Sequence, residues 1–126
     1  MLVFVYGSLK KDFKYHWLIE NAFLISNAET EEKFSLYRYP GADYPFMAES
    51  PQLNKVIGEV YEIDNRILRD LDRLEGYPTF YDRKKIFVKS KEKIRYEVLV
   101  YFLKEELKMS TPSMTEWTLQ SQDSIT

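Results

Sequence analysis

Apolar residues open the chain in an unbroken run, which predicts a strand that is buried on both faces. This run, Leu2-Val3-Phe4-Val5-Tyr6, stops at Gly7, where we expect a turn. The next apolar stretch covers residues 15–23, and its apolar positions fit one stripe along a helix better than the alternation of a strand. The pattern therefore predicts a strand, a tight turn and a helix at the start of the chain.

The middle of the chain combines strand-like and irregular segments. After a polar patch at residues 26–33, residues 34–37 alternate like a short strand. The prolines and the glycine within residues 40–51 then predict a long irregular connection, and loops of that length often carry function. Residues 56–63 predict another strand, in which Gly58 indicates a bulge or a close backbone contact.

A short amphipathic helix is predicted over residues 66–75, where the apolar side chains lie on one face. Asp64 or Asn65 is in place to cap its first turn. Gly76 occupies the position after the last helical residue and Pro78 follows shortly, so we expect the helix to end at Glu75.

Two further strand-like segments, residues 81–88 and 95–102, predict a hairpin. Five strands and two helices in mixed order indicate an α+β fold, in which closure into a small, mostly antiparallel barrel and an open sheet are both compatible with the pattern. Residues 1–126 show no linker that would divide two domains. The polar composition of residues 104–126 predicts a loosely ordered tail with Trp117 as its anchor.

Composition excludes several kinds of chemistry. The chain has no Cys and a single His, so a catalytic thiol, a thiolate metal site and a multi-histidine zinc site are excluded. Its four glycines are too scattered for a nucleotide-binding loop. A formal charge of −2 disfavours nucleic acid as a partner. The longest uncharged stretch has nine residues, too few to span a membrane, and we expect a soluble cytoplasmic protein.

The turn Tyr6-Gly7-Ser8-Leu9 is the first candidate site. It leaves a buried strand and bends at a glycine, so consecutive backbone N–H groups can face outward at the end of the strand. Such a group of donors can hold a carboxylate or an oxyanion. An ordinary strand-to-helix turn is the alternative. His16 is expected to be a packed or surface histidine rather than a general base.

Glu75 is the second candidate. It falls in the last turn of the predicted helix, where the helix dipole disfavours a negative charge, and Asp72 three residues earlier adds like charge. Apolar neighbours such as Leu74 and Phe80 predict partial burial, which also raises the pKa of a carboxyl group. A carboxyl group with a raised pKa can both take and return a proton. The alternative is an exposed Glu on an amphipathic helix.

Taken together, these motifs resemble those of the γ-glutamylcyclotransferase-like family, in its AIG2-like and γ-glutamylamine cyclotransferase branch. The resemblance covers roughly residues 1–103. Its motifs are Val3-Phe4-Val5-Tyr6-Gly7-Ser8-Leu9, Gly58-Glu59-Val60-Tyr61-Glu62-Ile63-Asp64, Leu71-Asp72-Arg73-Leu74-Glu75-Gly76-Tyr77-Pro78 and Tyr81-Asp82-Arg83.

The resemblance implies a small mixed barrel with flanking helices and assigns roles to single residues. Tyr6, Gly7, Ser8 and Leu9 would bind the γ-glutamyl group, and Glu75 would be the general acid and base. Tyr81 would line the pocket, Arg83 would support substrate binding, and Tyr44 and Pro45 would lie at the pocket edge. Beyond Leu103 only Trp117 resembles the closing segment of the family.

The implied reaction needs no metal and no cofactor, because a γ-glutamyl substrate carries its own nucleophile. Attack of its α-amine on its γ-carbonyl gives 5-oxoproline and a free amine. Proton transfer from an ammonium of pKa ~8 to a Glu of pKa ~4.3 is uphill by roughly 5 kcal/mol, so a raised pKa at Glu75 is a requirement of this mechanism. A small-carboxylate binding module without turnover, and removal of a γ-glutamyl protecting group from a different compound, are the alternatives. The oligomeric state is not indicated by the sequence.

Overall fold

Among the residues that the structure describes, five strands close into a barrel, which carries one helix and a separate two-stranded sheet. The computed structural model describes residues 1–38, 44–103 and 114–118. The strands are β1 (Leu2–Val5), β2 (Phe23–Thr30), β3 (Ser35–Arg38), β4 (Pro45–Ala48), β5 (Ile57–Glu62), β6 (Tyr81–Lys89) and β7 (Arg95–Leu103), the helix α1 is Asn65–Glu75, and a single 3-10 turn is His16–Leu18.

The barrel has the strand order β1-β5-β2-β6-β7 and closes through β7 and β1. The β1–β7 pair is parallel, and the other four pairs are antiparallel. The predicted α+β class and the mostly antiparallel mixed barrel are therefore confirmed. The predicted hairpin is confirmed as β6 and β7, and the predicted strand at residues 34–37 as β3, which pairs with β4 outside the barrel.

Two apolar clusters hold the barrel and its attachments together. Phe4 of β1 packs in one cluster with Leu36 of β3. Its neighbours Val3 and Val5 pack in the other cluster with Leu71 of α1. Because successive side chains of a strand point to opposite faces, this division requires that β1 be covered on both sides. The apolar run at the start of the chain is unbroken because side chains on both faces of β1 are buried.

Gly58 of β5 lies in close contact with β1. A Cβ atom at this position would lie 2.4 Å from the Val5 carbonyl oxygen and 2.6 Å from Cζ of Phe4. The close backbone contact predicted from this glycine is confirmed. The bulge occurs in the partner strand instead, where the pairing of β2 with β5 shifts between Leu24 and Ser26.

The ends of α1 are fixed by its two capping residues. The Asp64 side chain accepts a hydrogen bond from the Ile67 backbone N–H at 2.8 Å, and Gly76 adopts the left-handed conformation with φ 67°. The Gly76 N–H donates to the Arg73 carbonyl oxygen at 3.3 Å. The predicted end of the helix at Glu75 is therefore confirmed.

The helix predicted over residues 15–23 is wrong. Within it only His16–Leu18 forms a 3-10 turn, and the residues around that turn are joined by bonds from residue i+3 to residue i, such as Leu18 N–H to the Tyr15 carbonyl and Ala22 N–H to the Ile19 carbonyl. Phe23 already belongs to β2. The stripe arises because Ile19 is anchored in the core while Trp17 points to solvent, 62% exposed.

Two strands lie where the sequence predicts none. In β2 the apolar residues Phe23 and Leu24 are exposed and the buried Thr30 is polar, so the hydrophobic alternation of a strand is lost. In β4 all four residues are buried, again without alternation. Its proline, Pro45, is the first residue of the strand, a position that needs no backbone donor.

The segment of residues 114–118 returns to the barrel. Met114 donates its N–H to the Leu36 carbonyl oxygen at 2.8 Å, and Thr115 accepts from the Ile57 N–H at 3.0 Å. Trp117 has no exposed surface. The rest of the predicted tail, residues 104–113 and 119–126, lies outside the described residues. Within the described ranges no helix has the length and the apolar content needed to cross a membrane.

Candidate active site

A cleft of about 400 Å³ opens between the turn that follows β1 and the C-terminal end of α1. Ser8 lines it from the turn, Glu75 from the helix and Tyr81 from the start of β6. A narrower hollow of about 30 Å³ adjoins this cleft, because both are lined by Ser8, Glu75 and Tyr44. The two sequence motifs therefore meet at one concave surface.

The carbonyl groups of the turn after β1 accept hydrogen bonds from residues that follow shortly in the sequence. The Gly7 carbonyl oxygen accepts from the Lys10 N–H at 3.0 Å, and that of Ser8 from the Tyr15 N–H at 2.8 Å. The His16 Nδ1 lies 2.9 Å from the Leu9 carbonyl oxygen and donates to it. In a planar trans peptide the N–H points opposite to the carbonyl of the same unit, so the Ser8 and Leu9 amides are directed away from these partners.

Gly7 is required by its contact with β4. A Cβ atom there would lie 2.8 Å from both Cδ and Cγ of Pro45. Pro45 lines the narrow hollow together with Gly7 and Ser8. A side chain at residue 7 would therefore push β4 outward and change the shape of the hollow.

Glu75 is the last residue of α1, and its side chain is partly buried. Burial raises the pKa of its carboxyl group to about 7. The raised pKa agrees with the sequence-based expectation, but part of the expected cause does not hold. The Asp72 carboxylate is held against Tyr101 and Arg83, so desolvation rather than like charge accounts for the shift.

Two tyrosines beside Glu75 remain neutral. Burial, with the nearby Glu75 carboxylate as a smaller contribution, raises the pKa of Tyr81 above its ordinary value. Burial likewise raises the pKa of Tyr6, whose hydroxyl donates to the Tyr101 carbonyl oxygen at 2.8 Å. The Tyr6 hydroxyl also accepts from the Met47 N–H at 3.3 Å, so it links β1, β4 and β7.

A polar network fixes α1 one turn before Glu75. The Asp72 carboxylate accepts a hydrogen bond from the Tyr101 hydroxyl at 2.6 Å and lies 3.3 Å from Nε of Arg83. The Arg83 guanidinium in turn stacks 4.4 Å above the ring of Tyr77. These contacts attach the C-terminal half of the helix to β6 and β7.

The predicted site residues divide into two groups. Ser8, Glu75 and Tyr81 line the cleft, and Tyr6, Gly7 and Leu9 line the adjoining hollow. Tyr44, predicted at the pocket edge, lines both surfaces, and Pro45, predicted there as well, lines the hollow. Arg83 lines neither surface in the described part of the chain. Its side chain contacts Asp72 and Tyr77 and lines a different cleft, and its supporting role in substrate binding stays a prediction.

Sequence patterns did not single out two residues of the cleft, Tyr15 and Arg73. Tyr15 was assigned to a helix, whereas it lines the cleft after the turn. Arg73 lies at the rim with its side chain 80% exposed, beside Phe80, which is 68% exposed and was expected as an apolar neighbour of Glu75. Only the closeness of Arg73 to Glu75 in the sequence could have indicated it. In the part of the chain that the structure describes, no three His, Cys, Asp or Glu side chains cluster as a metal site would require.

Comparison with known proteins identifies relatives along nearly the whole chain. The family model "Gamma-glutamyl cyclotransferase, AIG2-like" matches residues 3–119. A protein of Methanocaldococcus jannaschii named "Putative gamma-glutamylcyclotransferase" is 36% identical over 104 residues, which are 82% of this chain and 84% of that protein. Gamma-glutamylaminecyclotransferase C of Danio rerio is 38% identical over 90 residues, 67% of this chain and 59% of that protein.

Solved structures share the fold. The crystal structure of an AIG2-like protein from Mus musculus superimposes with a TM-score of 0.85 at 26% sequence identity, over 93% of this chain and 87% of that one. YkqA from Bacillus subtilis superimposes with a TM-score of 0.73 at 27% identity, over 98% of this chain and 41% of that one. The cleft between the Gly7 turn and Glu75 thus belongs to a member of the AIG2-like gamma-glutamyl cyclotransferase family.

Proposed function

We propose that this protein converts a γ-glutamyl amine or a γ-glutamyl amino acid to 5-oxoproline and the free amine. The observation that carries the proposal is that Ser8 and Glu75 line one cavity, in which burial raises the pKa of the Glu75 carboxyl group to about 7. Relatives named gamma-glutamylaminecyclotransferase support the same reaction class.

Glu75 carries the proton in this mechanism. Its carboxylate takes a proton from the α-ammonium of the substrate, and the freed amine attacks the γ-carbonyl carbon. The new C–N bond closes the five-membered ring, and the Glu75 carboxylic acid gives its proton to the leaving nitrogen as the bond to that nitrogen breaks. The regenerated carboxylate then takes the second proton from the ring nitrogen and passes it to the departing amine, which leaves as an ammonium. A carboxyl pKa of about 7 reduces the cost of the first transfer from an ammonium of pKa ~8 to about 1.4 kcal/mol.

The turn after β1 supplies the complementary charge stabilisation. Negative charge develops on the γ-carbonyl oxygen as the amine attacks, and backbone N–H donors in a preorganised turn stabilise it without reorganisation. Ser8 lines the same cleft as Glu75, and we assign its N–H, which is directed away from the Lys10 N–H, as the donor. One such donor lowers the barrier of acyl-transfer reactions by about 3 kcal/mol. Folding the substrate so that amine and carbonyl meet removes a further part of the barrier.

The test is product formation by the purified protein. We expect 5-oxoproline from γ-glutamyl dipeptides or from γ-glutamyl-ε-lysine, and Glu75→Gln should lower kcat on the order of a hundredfold or more because the amide cannot exchange a proton. Glu92→Gln, at an exposed position in the turn between β6 and β7, is the matched control and should keep full activity.

Two results would contradict the proposal in different ways. Unchanged turnover in Glu75→Gln would remove Glu75 from the mechanism. Calorimetric uptake of a γ-glutamyl compound without any product, insensitive to Glu75→Gln, would identify the chain as a binding module for small carboxylates.

A further inference from the structure

A lysine ammonium group is buried directly behind the turn that lines the cleft. The Lys10 side chain is 7% exposed, and its Nζ donates to the Trp117 carbonyl oxygen at 2.6 Å. The Glu116 carboxylate lies 3.8 Å from this nitrogen, and the centroid of the Phe13 ring lies 4.9 Å from it. A buried ammonium is costly unless such partners surround it, so its retention at this position calls for an explanation. The proposed reaction makes no use of Lys10.

The backbone of Lys10 closes the same turn that its side chain supports. Its N–H donates to the Gly7 carbonyl oxygen at 3.0 Å, the bond that directs the Ser8 N–H away from the turn. Its own carbonyl oxygen accepts from the Phe13 N–H at 3.0 Å. Any displacement of Lys10 is therefore passed directly to the peptide unit that carries the assigned oxyanion donor.

The Trp117 carbonyl, which accepts the hydrogen bond from Lys10, belongs to a segment that is itself bonded to the sheets. Backbone hydrogen bonds from Met114 to Leu36 and from Ile57 to Thr115 attach residues 114–118 to β3 and β5. The ring of Trp117 is fully buried. The hydrogen bond from Lys10 to Trp117 thus ties the turn to a segment that lies more than a hundred residues away in sequence and that is held by two strands.

We propose that Lys10 is a positioning residue, which holds the Gly7–Ser8 peptide in its reactive orientation by anchoring the turn to the Trp117 carbonyl. This inference rests on the proposed function. Because the turn acts on charge that develops only during the reaction, loss of the anchor should lower kcat more than it raises KM. Small misplacements of a catalytic group have large effects on rate, so the loss should be on the order of tenfold to a hundredfold.

The experiment compares Lys10→Met with Lys11→Met, which removes a neighbouring, exposed ammonium. We expect kcat to fall at least tenfold in Lys10→Met, with KM within about twofold of the wild type, and both constants to be unchanged in Lys11→Met. Lys10→Arg keeps a charged donor and should recover most of kcat. Equal kcat in the folded Lys10→Met and Lys11→Met proteins would overturn the proposal.

A second readout separates this proposal from the proposed function. In ¹⁵N-labelled protein, the amide resonances of Gly7 and Ser8 should move in Lys10→Met and stay in place in Lys11→Met, whether or not the wild type turns over substrate. If the wild type makes no 5-oxoproline, the proposed function fails alone; if the Gly7 and Ser8 amides do not move, the positioning role fails. Lys10→Leu, which likewise cannot donate to a carbonyl, replaces Lys10→Met if that variant does not fold, and wild-type kcat together with unmoved amides in it would equally contradict the positioning role.

Discussion

Glu75 combines two properties that seldom occur at one residue. It ends an amphipathic helix, yet its side chain is partly buried beside Tyr6 and Tyr81, and burial raises its carboxyl pKa to about 7. A carboxyl group with that pKa is present in both protonation states near neutral pH, which suits a residue that must take and return the same proton. Burial of the ionised carboxylate lowers the free energy of unfolding.

Replacement of Glu75 by Gln should therefore stabilise the protein, and increasingly so as the pH rises. The folded-state pKa of about 7 lies above the ordinary value of 4.5, so the folded state loses stability as the pH increases from about 4.5 to 7. Gln does not ionise and escapes this loss. The gain in unfolding free energy for Glu75→Gln should be about 2 kcal/mol larger at pH 8 than at pH 5, measured by urea denaturation. The same gain at both pH values would contradict the raised pKa.

At the scale of the residue, the sequence predicted the raised pKa of Glu75 but only part of its cause. The position of Glu75 before a capping glycine and among apolar neighbours was readable, since both are local features. The engagement of Asp72 with Tyr101 and Arg83 was not, because it joins three elements that are distant in the chain.

The helix α1 is held to the barrel by this network as well as by apolar packing. Leu71 buries its side chain against β1, and Asp72 bonds to Tyr101 of β7 on the adjoining face. Glu75 follows within one helical turn. The orientation of the carboxyl group thus depends on the attachment of Asp72 to the sheet.

Tyr101→Phe should loosen this attachment. The variant removes the hydroxyl that donates to the Asp72 carboxylate at 2.6 Å, and hydrogen bonds to charged groups contribute about 1.5–3 kcal/mol. We expect a loss of about 2 kcal/mol of unfolding free energy. Tyr96→Phe, a half-buried position in the same strand, should cost less than about 0.5 kcal/mol. Equal losses in the two variants would show that the network does not hold the helix.

At the scale of elements, the sequence predicted those with a regular hydrophobic pattern and missed the others. Three predictions rest on a regular hydrophobic pattern or on capping residues, and the structure contains all three elements: β1, the helix α1 and the β6–β7 hairpin. The strand β2 exposes Phe23 and Leu24 and buries Thr30, so its pattern contradicts its conformation. Pairing with β5 decides its structure, and such pairing is invisible to a local pattern.

At the scale of the whole molecule, the cleft follows from how β1, β5 and α1 succeed one another. β5 runs antiparallel to β1, with Leu2 opposite Glu62, so α1 begins beside the start of β1. The Met1 carbonyl oxygen accepts from the Ile63 N–H at 2.8 Å at this point. A helix of 11 residues is about 16 Å long, close to the length of a strand that runs from Leu2 to the turn. The end of the helix and the end of β1 therefore lie side by side.

Closure of the barrel could be named from the sequence only through family resemblance. The pattern left a barrel and an open sheet equally compatible, because the parallel β1–β7 contact that closes the barrel joins the two ends of the described sheet. The hollow that adjoins the cleft depends on that closure, since Tyr101 of β7 lines it together with Gly7.

The most direct test of the shared cleft is an NMR titration of the ¹⁵N-labelled protein with 5-oxoproline. The backbone amides of Gly7 and Ser8 and those of Glu75 and Gly76 should shift together and follow one binding curve with one Kd. The amide of Lys93, in the turn between β6 and β7, should not move. Shifts confined to one of the two motifs, or two curves with different Kd values, would contradict the claim that the turn and the carboxyl group act on one ligand.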